Sequence, residues 1–275
     1  NVLSGVSLDG TEFFYSNPLA SVKNKSSEYY KRSKWFNTAC CPPNIARILA
    51  SIGGYFYTQN EKNIAVHMYA EGEANLHFGN QNINIHQKTR YPWDGQVGLH
   101  FNMATPVNFT LRLRIPSWCR QFSLRVNGIE IQPVIKKGYA CILQTWHMGD
   151  IVELDMQMPV TRVYSHPDVS QNIGCTALQR GPVVYCIEST DHEAGINRLI
   201  LPRQENISAY FDPNLLSGVV VLQGNALLLC EEGWNGILYQ AQEPSYTPCQ
   251  FMAIPYYSWA NRTLGEMKVW LPELP

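Results

Sequence analysis

Two thiols standing side by side concentrate the chemistry of this chain, in the stretch Trp35-Phe36-Asn37-Thr38-Ala39-Cys40-Cys41-Pro42-Pro43-Asn44-Ile45-Ala46-Arg47. A thiolate is both a nucleophile and a soft metal ligand, and neighbouring side chains in an irregular segment can both approach one ion. Pro43 suits the first position of a helix: its φ is already helical, and its missing N–H would have no partner there. Cys40 and Cys41 then sit just before a helix N-terminus, where unpaired N–H groups and the helix dipole favour a thiolate over a thiol. The residues alone leave three readings open: a metal-binding or catalytic pair, two small apolar core residues, and a strained disulfide between neighbours.

No other constellation competes with this pair. The seven histidines are scattered without metal-binding spacing, and neither a nucleotide loop nor a Gly-x-Ser-x-Gly elbow occurs. Asp94-Gly95 and Gly149-Asp150 read as turns. The tryptophans Trp93, Trp118, Trp146, Trp234, Trp259 and Trp270 could stack on sugar rings, although such residues in β-rich proteins usually anchor a core. With 21 Lys plus Arg against 22 Asp plus Glu, the chain has no electrostatic footprint for nucleic acid or an anionic membrane. No apolar run approaches the roughly 18 residues of a membrane span. Eight cysteines in 275 residues are too dilute for a disulfide scaffold, so they are expected to be mostly reduced and buried.

The elements that would position the thiols are sparse in helix and rich in strand. Ile45, Ile48, Leu49, Ile52, Tyr55 and Phe56 follow helical spacing, predicting an amphipathic helix from about Asn44 to Tyr57 with one buried face. Gly53-Gly54 inside it predicts close packing against a neighbour. Upstream, Leu8-Asp9-Gly10-Thr11 reads as a turn and Glu12-Phe13-Phe14-Tyr15 as a short strand. The basic stretch Lys23 to Lys34 reads as a long, solvated loop. From Ile64 the period changes to two. Val107, Phe109, Leu111, Leu113 and Ile115 alternate with polar residues, and Phe122-Leu124-Val126 runs through Asn127-Gly128 into Ile129, a hairpin signal. Val152, Leu154, Met156 and Met158 form another alternating strand. These strands predict a β-sandwich over 59–161. After Met158-Pro159 the pattern restarts. Thr176 to Cys186, Val219 to Leu222, Ala226 to Cys230, Gln250 to Pro255 and Glu266 to Leu271 predict a second sandwich over 162–275, with Ala194 to Leu216 irregular and unassigned. The fold class is therefore mainly β, two antiparallel sandwiches after a short helical segment in 1–58.

Cys40-Cys41-Pro42-Pro43-Asn44-Ile45-Ala46-Arg47 is similar to the signature of the zinc-dependent β-L-arabinofuranosidases, glycoside hydrolase family 127 and its relatives. Further stretches resemble that family in the same order: Phe13-Phe14-Tyr15-Ser16-Asn17-Pro18-Leu19, Tyr91-Pro92-Trp93-Asp94-Gly95, Leu113-Arg114-Ile115-Pro116-Ser117-Trp118, Gln179-Arg180-Gly181-Pro182-Val183-Val184-Tyr185 and Trp259-Ala260-Asn261-Arg262.

The resemblance implies an (α/α)6 barrel followed by two β-sandwiches, with 1–58 as the barrel's C-terminal end and the rest of the barrel expected before Asn1. It implies a retaining glycosidase that releases L-arabinose from β-L-arabinofuranosides. Cys40 would be the nucleophile and a zinc ligand, Cys41 a second Zn2+ ligand, and Tyr15 the tyrosine beside the nucleophile. The family's remaining ligands, a Glu and a Cys one residue apart, and its Glu general acid/base have no counterpart here, since no Glu-x-Cys occurs. This chain alone is then expected to be inactive. The implied partner is an arabinose-containing oligosaccharide or glycoconjugate, with a homodimer as one option and no nucleic acid or membrane. Reduced, metal-binding thiols point to the cytoplasm. The competing expectation is a non-catalytic carbohydrate-binding or structural β-sandwich protein.

Overall fold

Alternation along Val107–Arg114 becomes a strand with Phe109, Leu111 and Leu113 buried and polar residues between them. It is the centre of a five-stranded sheet ordered Val134–Lys136, Tyr139–Trp146, Val107–Arg114, Asn63–Val66, Tyr57–Asn60. A second, six-stranded sheet runs Gly72–Phe78, Gln81–Thr89, Gln96–Met103, Ile151–Met156, Phe122–Val126, Ile129–Glu130, antiparallel throughout. The turn joining its last two strands is Asn127-Gly128, whose φ angles of 52° and 78° are what a two-residue primed turn requires. The buried faces of the two sheets form one core. Phe101 from one sheet stacks on Trp146 from the other at 4.8 Å, and the Trp146 indole N–H donates to the Phe109 carbonyl at 3.1 Å. The expected first sandwich is present but not antiparallel throughout, since Asn63–Val66 pairs with Val107–Arg114 in parallel, a direction that alternation within a strand does not encode.

The computed structural model describes residues 5–21, 31–38, 40 and 42–274. The sandwich belongs to one unit, Ala46–Pro159; the other combines Asn1–Ile45 with Val160–Pro275.

In that other unit the expected second sandwich is instead one sheet closed on itself. Cys175–Arg180 pairs with Val183–Glu188, then Tyr246–Pro255, Val219–Leu229, Leu199–Pro202 and Leu271–Leu274, and the last returns to Cys175–Arg180. This six-stranded barrel encloses Leu178, Tyr185, Ile187, Leu199, Leu201, Leu222, Phe251 and Leu271. Closure removes the exposed edges that an open sheet would carry. A sandwich face and a barrel wall share the same period-two pattern, so alternation could not separate them. The two strands expected between Val219 and Cys230 are one eleven-residue strand, Val219–Leu229, and the unassigned stretch supplies Leu199–Pro202 and Ser208–Asp212.

The helix is shorter than expected. It runs Pro42–Ser51 and gives way to a 3-10 turn, Ile52–Tyr55, before the strand Tyr57–Asn60 begins. Glycine is a poor helix residue, and the pair Gly53-Gly54 falls where the helix stops. Its apolar stripe is not buried: Ile48 is 39% and Leu49 45% exposed. A Cβ added at Gly53 or Gly54 would meet nothing within 4 Å, so the expected close packing is absent among the described residues. Pro42–Ser51 is the one α-helix among the described residues, which therefore form no barrel of helices. None of their helices is long and apolar enough to cross a membrane.

Candidate active site

Tyr15 and Cys40, 25 residues apart, meet: the phenol oxygen lies 2.8 Å from the thiol sulfur, with either group able to donate. Cys40 is exposed to solvent. Its carbonyl accepts a hydrogen bond from the Asn44 side-chain amide at 3.1 Å, which ties it to the first turn of the helix Pro42–Ser51. The thiol thus stands at a helix N-terminus, as its sequence setting predicts. Cys41 lies outside the described residues.

The Tyr15 ring packs edge-on against Phe36 at 5.4 Å, and Phe36, itself buried, lies 5.1 Å from Phe13. Backbone hydrogen bonds fix the segment carrying Tyr15. Phe13 and Ser33 exchange both N–H···O bonds, at 3.1 and 3.0 Å, and Phe14 N donates to Gly5 O at 2.8 Å. Its preceding turn is closed by Asp9, whose carboxylate accepts from the Thr11 N–H at 3.0 Å and from the Ser7 and Thr11 hydroxyls. Those bonds, the Ser7 hydroxyl foremost, hold the Asp9 carboxyl down to about 2. The short strand expected at Glu12 to Tyr15 is thus reduced to single bridges from Phe13 to Val6 and to Ser33.

The same segment is fastened to the barrel. Phe14 is buried and stacks on Trp259, with centroids 4.6 Å apart and planes 7° from parallel. The Arg32 guanidinium lies 4.4 Å from the Phe14 ring centroid. Arg32 belongs to the basic stretch expected to be solvated, yet it is 6% exposed. It donates to the carbonyls of Trp259 at 2.5 Å, Tyr257 at 3.3 Å and Gly5 at 3.4 Å. Burial pushes the guanidinium down to about 10, against the opposing pull of the Glu188 carboxylate. Beyond it, Leu8 N donates to Asn261 Oδ1 at 2.9 Å, and the Tyr256 hydroxyl donates to Pro18 O at 2.8 Å. Arg262 pairs with Asp191 and Glu188, while Glu188 also accepts from the Ala260 N–H at 2.8 Å. This network holds Ala260 at a φ of 55°, in the left-handed region. Sequence reasoning missed Arg32 and Phe14, because no local pattern distinguishes a buried arginine from the solvated ones around it.

The donor chemistry at the thiols suits zinc, which binds thiolates tetrahedrally, but the ligand count does not close. Among the described residues no group of three His, Cys, Asp or Glu could hold a metal ion. Cys40 and Cys41 would supply two ligands, with the others coming from outside these residues.

Three models of one family match most of the chain in succession: the β-L-arabinofuranosidase GH127 catalytic domain over residues 1–54, the GH127 middle domain over 63–158, and the glycoside hydrolase family 127 C-terminal domain over 160–272. The chain belongs to glycoside hydrolase family 127. The non-reducing end β-L-arabinofuranosidase of Bifidobacterium longum subsp. longum is 32% identical over 97% of this chain and 43% of its own length. A crystal structure of a family 127 β-L-arabinofuranosidase from Geobacillus stearothermophilus T6 superposes with a TM-score of 0.93 at 46% identity, over 99% of this chain and 44% of that one. A second family 127 β-arabinofuranosidase structure superposes with a TM-score of 0.89 at 32% identity, over 99% and 44%. The chain spans less than half the length of these relatives.

Within the family 127 frame, Tyr15 and Cys40 both lie in the stretch matched by the catalytic-domain model, whereas Trp259 to Arg262 lie in the C-terminal domain. In the middle-domain motifs, Tyr91 packs 6.4 Å from Trp118 and 5.8 Å from Tyr69, while Arg90 and Asp94 form a surface ion pair at 2.9 Å.

Proposed function

We propose that this chain works as the C-terminal part of a retaining glycoside hydrolase that releases L-arabinose from β-L-arabinofuranosides in an arabinose-containing oligosaccharide or glycoconjugate. The observation that carries this reading is the contact between Tyr15 and Cys40, inside the stretch matched by the family's catalytic-domain model. In this reading the helix Pro42–Ser51 closes an (α/α)6 barrel built mostly from residues outside this chain. The exposed apolar stripe of the helix supports that placement, since an amphipathic helix needs a partner for its apolar face.

Most retaining glycosidases use two carboxylates about 5 Å apart, one as nucleophile and one as acid and then base. Here the Cys40 thiolate takes the nucleophile's place and attacks the anomeric carbon, while an acid outside the described residues protonates the leaving oxygen. Water then cleaves the sulfur–carbon bond from the opposite face, so the sugar leaves with retained configuration and the thiolate is regenerated. Tyr15 donates its hydroxyl hydrogen to the sulfur and fixes the direction of its lone pair. Zinc bound by Cys40 and Cys41 would keep the thiol deprotonated at neutral pH. In the full-length enzyme, Cys40→Ser is expected to abolish turnover of an aryl β-L-arabinofuranoside, and Cys41→Ser to lower zinc content measured by atomic absorption. Appreciable turnover by Cys40→Ser removes Cys40 from the nucleophile role.

A further inference from the structure

Among the contacts that join the C-terminal domain to the Tyr15 segment, one side chain, Arg32, reaches three backbone carbonyls on two separate stretches. Arg32 donates to Gly5 O, which also accepts from Phe14 N, and to the carbonyls of Tyr257 and Trp259. Its guanidinium carbon lies over the Phe14 ring, 4.4 Å from the centroid, and the same ring stacks on Trp259. Ser33, the next residue, is locked to Phe13 by a reciprocal pair of backbone hydrogen bonds. Tyr15 therefore follows directly on two residues that are each held in place, Phe13 by Ser33 and Phe14 by Gly5, Arg32 and Trp259. A planar guanidinium with five donors is suited to this work, because it can hold several acceptors in fixed directions while stacking on a ring. Three aligned carbonyls and an aromatic face, at the cost of burying a charge, are more than a surface loop needs to stay folded.

We infer that Arg32 is a positioning residue for the reaction, holding the Tyr15 hydroxyl against Cys40 by clamping residues 5 and 14 to the Tyr257–Trp259 backbone of the C-terminal domain, an inference that rests on the role proposed above for Tyr15. It gives the C-terminal domain a part in catalysis without any contact to substrate. It also assigns the Trp259-Ala260-Asn261-Arg262 stretch a function. Arg262, through Asp191 and Glu188, sets the left-handed turn at Ala260 that follows the Trp259 carbonyl accepting from Arg32.

The test is a double-mutant cycle in the full-length enzyme with Tyr15→Phe and Arg32→Met, scored as kcat and KM on an aryl β-L-arabinofuranoside. Arg32→Met is expected to lower kcat about tenfold or more with KM changed less than about twofold, and to cost less than about twofold further once Tyr15 is Phe, because coupled residues are non-additive. Equal losses in both backgrounds would overturn the inference and leave Arg32 a purely structural residue. Should Arg32→Met fold poorly, Arg32→Lys keeps the charge but cannot span three carbonyls, and the same non-additivity is expected from it. The cycle is read in parallel as the rate of Cys40 alkylation by iodoacetamide at one fixed pH, localised by peptide mass spectrometry. If the wild-type enzyme fails to hydrolyse the glycoside, the functional reading falls. The alkylation cycle then still decides the positioning, with additive effects on Cys40 alkylation refuting it.

Discussion

Replacing Phe14 by Leu separates what an aromatic ring contributes at this position from what any apolar side chain of similar bulk contributes. Phe14 is 4% exposed, so Leu retains most of the apolar burial. What disappears is the parallel stack on Trp259 at 4.6 Å and the Arg32 guanidinium 4.4 Å from the ring centroid. Aromatic pairs contribute about 0.5–1.5 kcal/mol beyond burial, and a desolvated cation–π contact about 2 kcal/mol. A loss of about 2.5–3.5 kcal/mol is therefore expected, which lowers the midpoint of thermal unfolding by roughly 5–14 °C for a unit of this size. Urea denaturation followed by tryptophan fluorescence is the direct assay, since Trp259 is itself a member of the stack and reports the transition of its own unit. A change below about 0.5 kcal/mol would refute the reasoning, because the two ring-specific contributions would then carry no stability.

Two further outcomes follow from other parts of the molecule. Gly95→Ala is expected to destabilise the middle domain by more than about 3 kcal/mol, because an added Cβ would coincide with the backbone carbonyl of Met156, which no rotamer change can relieve; a near-wild-type denaturation midpoint would contradict the close approach. Asp9 is expected to stay ionised as acid is added until about pH 2 rather than the ordinary 3.8, held by the Ser7 and Thr11 hydrogen bonds. Because its folded value is the lower one, the turn's stabilisation is complete above pH 3.8 and disappears as pH falls through about 2. An NMR titration of the Asp9 side chain with a midpoint near 3.8 would show that the turn does not hold the carboxylate.

Much of the fold was legible because its causes are local. The period-two alternation of Val107 to Arg114 and the Asn127-Gly128 turn report side chains and backbone angles that depend on near neighbours. The double thiol before Pro42-Pro43 was legible for the same reason: proline geometry and the helix N-terminus are properties of a few consecutive residues. What could not be read was decided by residues far apart in the chain. Whether the later strands form a sandwich or a barrel depends on Leu271–Leu274 pairing with both Cys175–Arg180 and Leu199–Pro202, contacts with no trace in the alternation of any one strand. Helical spacing predicted a buried stripe at Ile48 and Leu49, yet burial needs a partner surface, which the described residues do not provide. Most of all, the sequence placed Arg32 in a solvated run, where tertiary structure buries it on Phe14 and three carbonyls, two of them more than two hundred residues away. Residue types and spacing determined where the exposed Cys40 thiol stands. The family resemblance pointed to Tyr15 as its neighbour, but only the packing of the C-terminal barrel onto Phe14 and Arg32 decided what holds that tyrosine in place, because long-range burial is a property of the whole assembly of strands rather than of any local pattern.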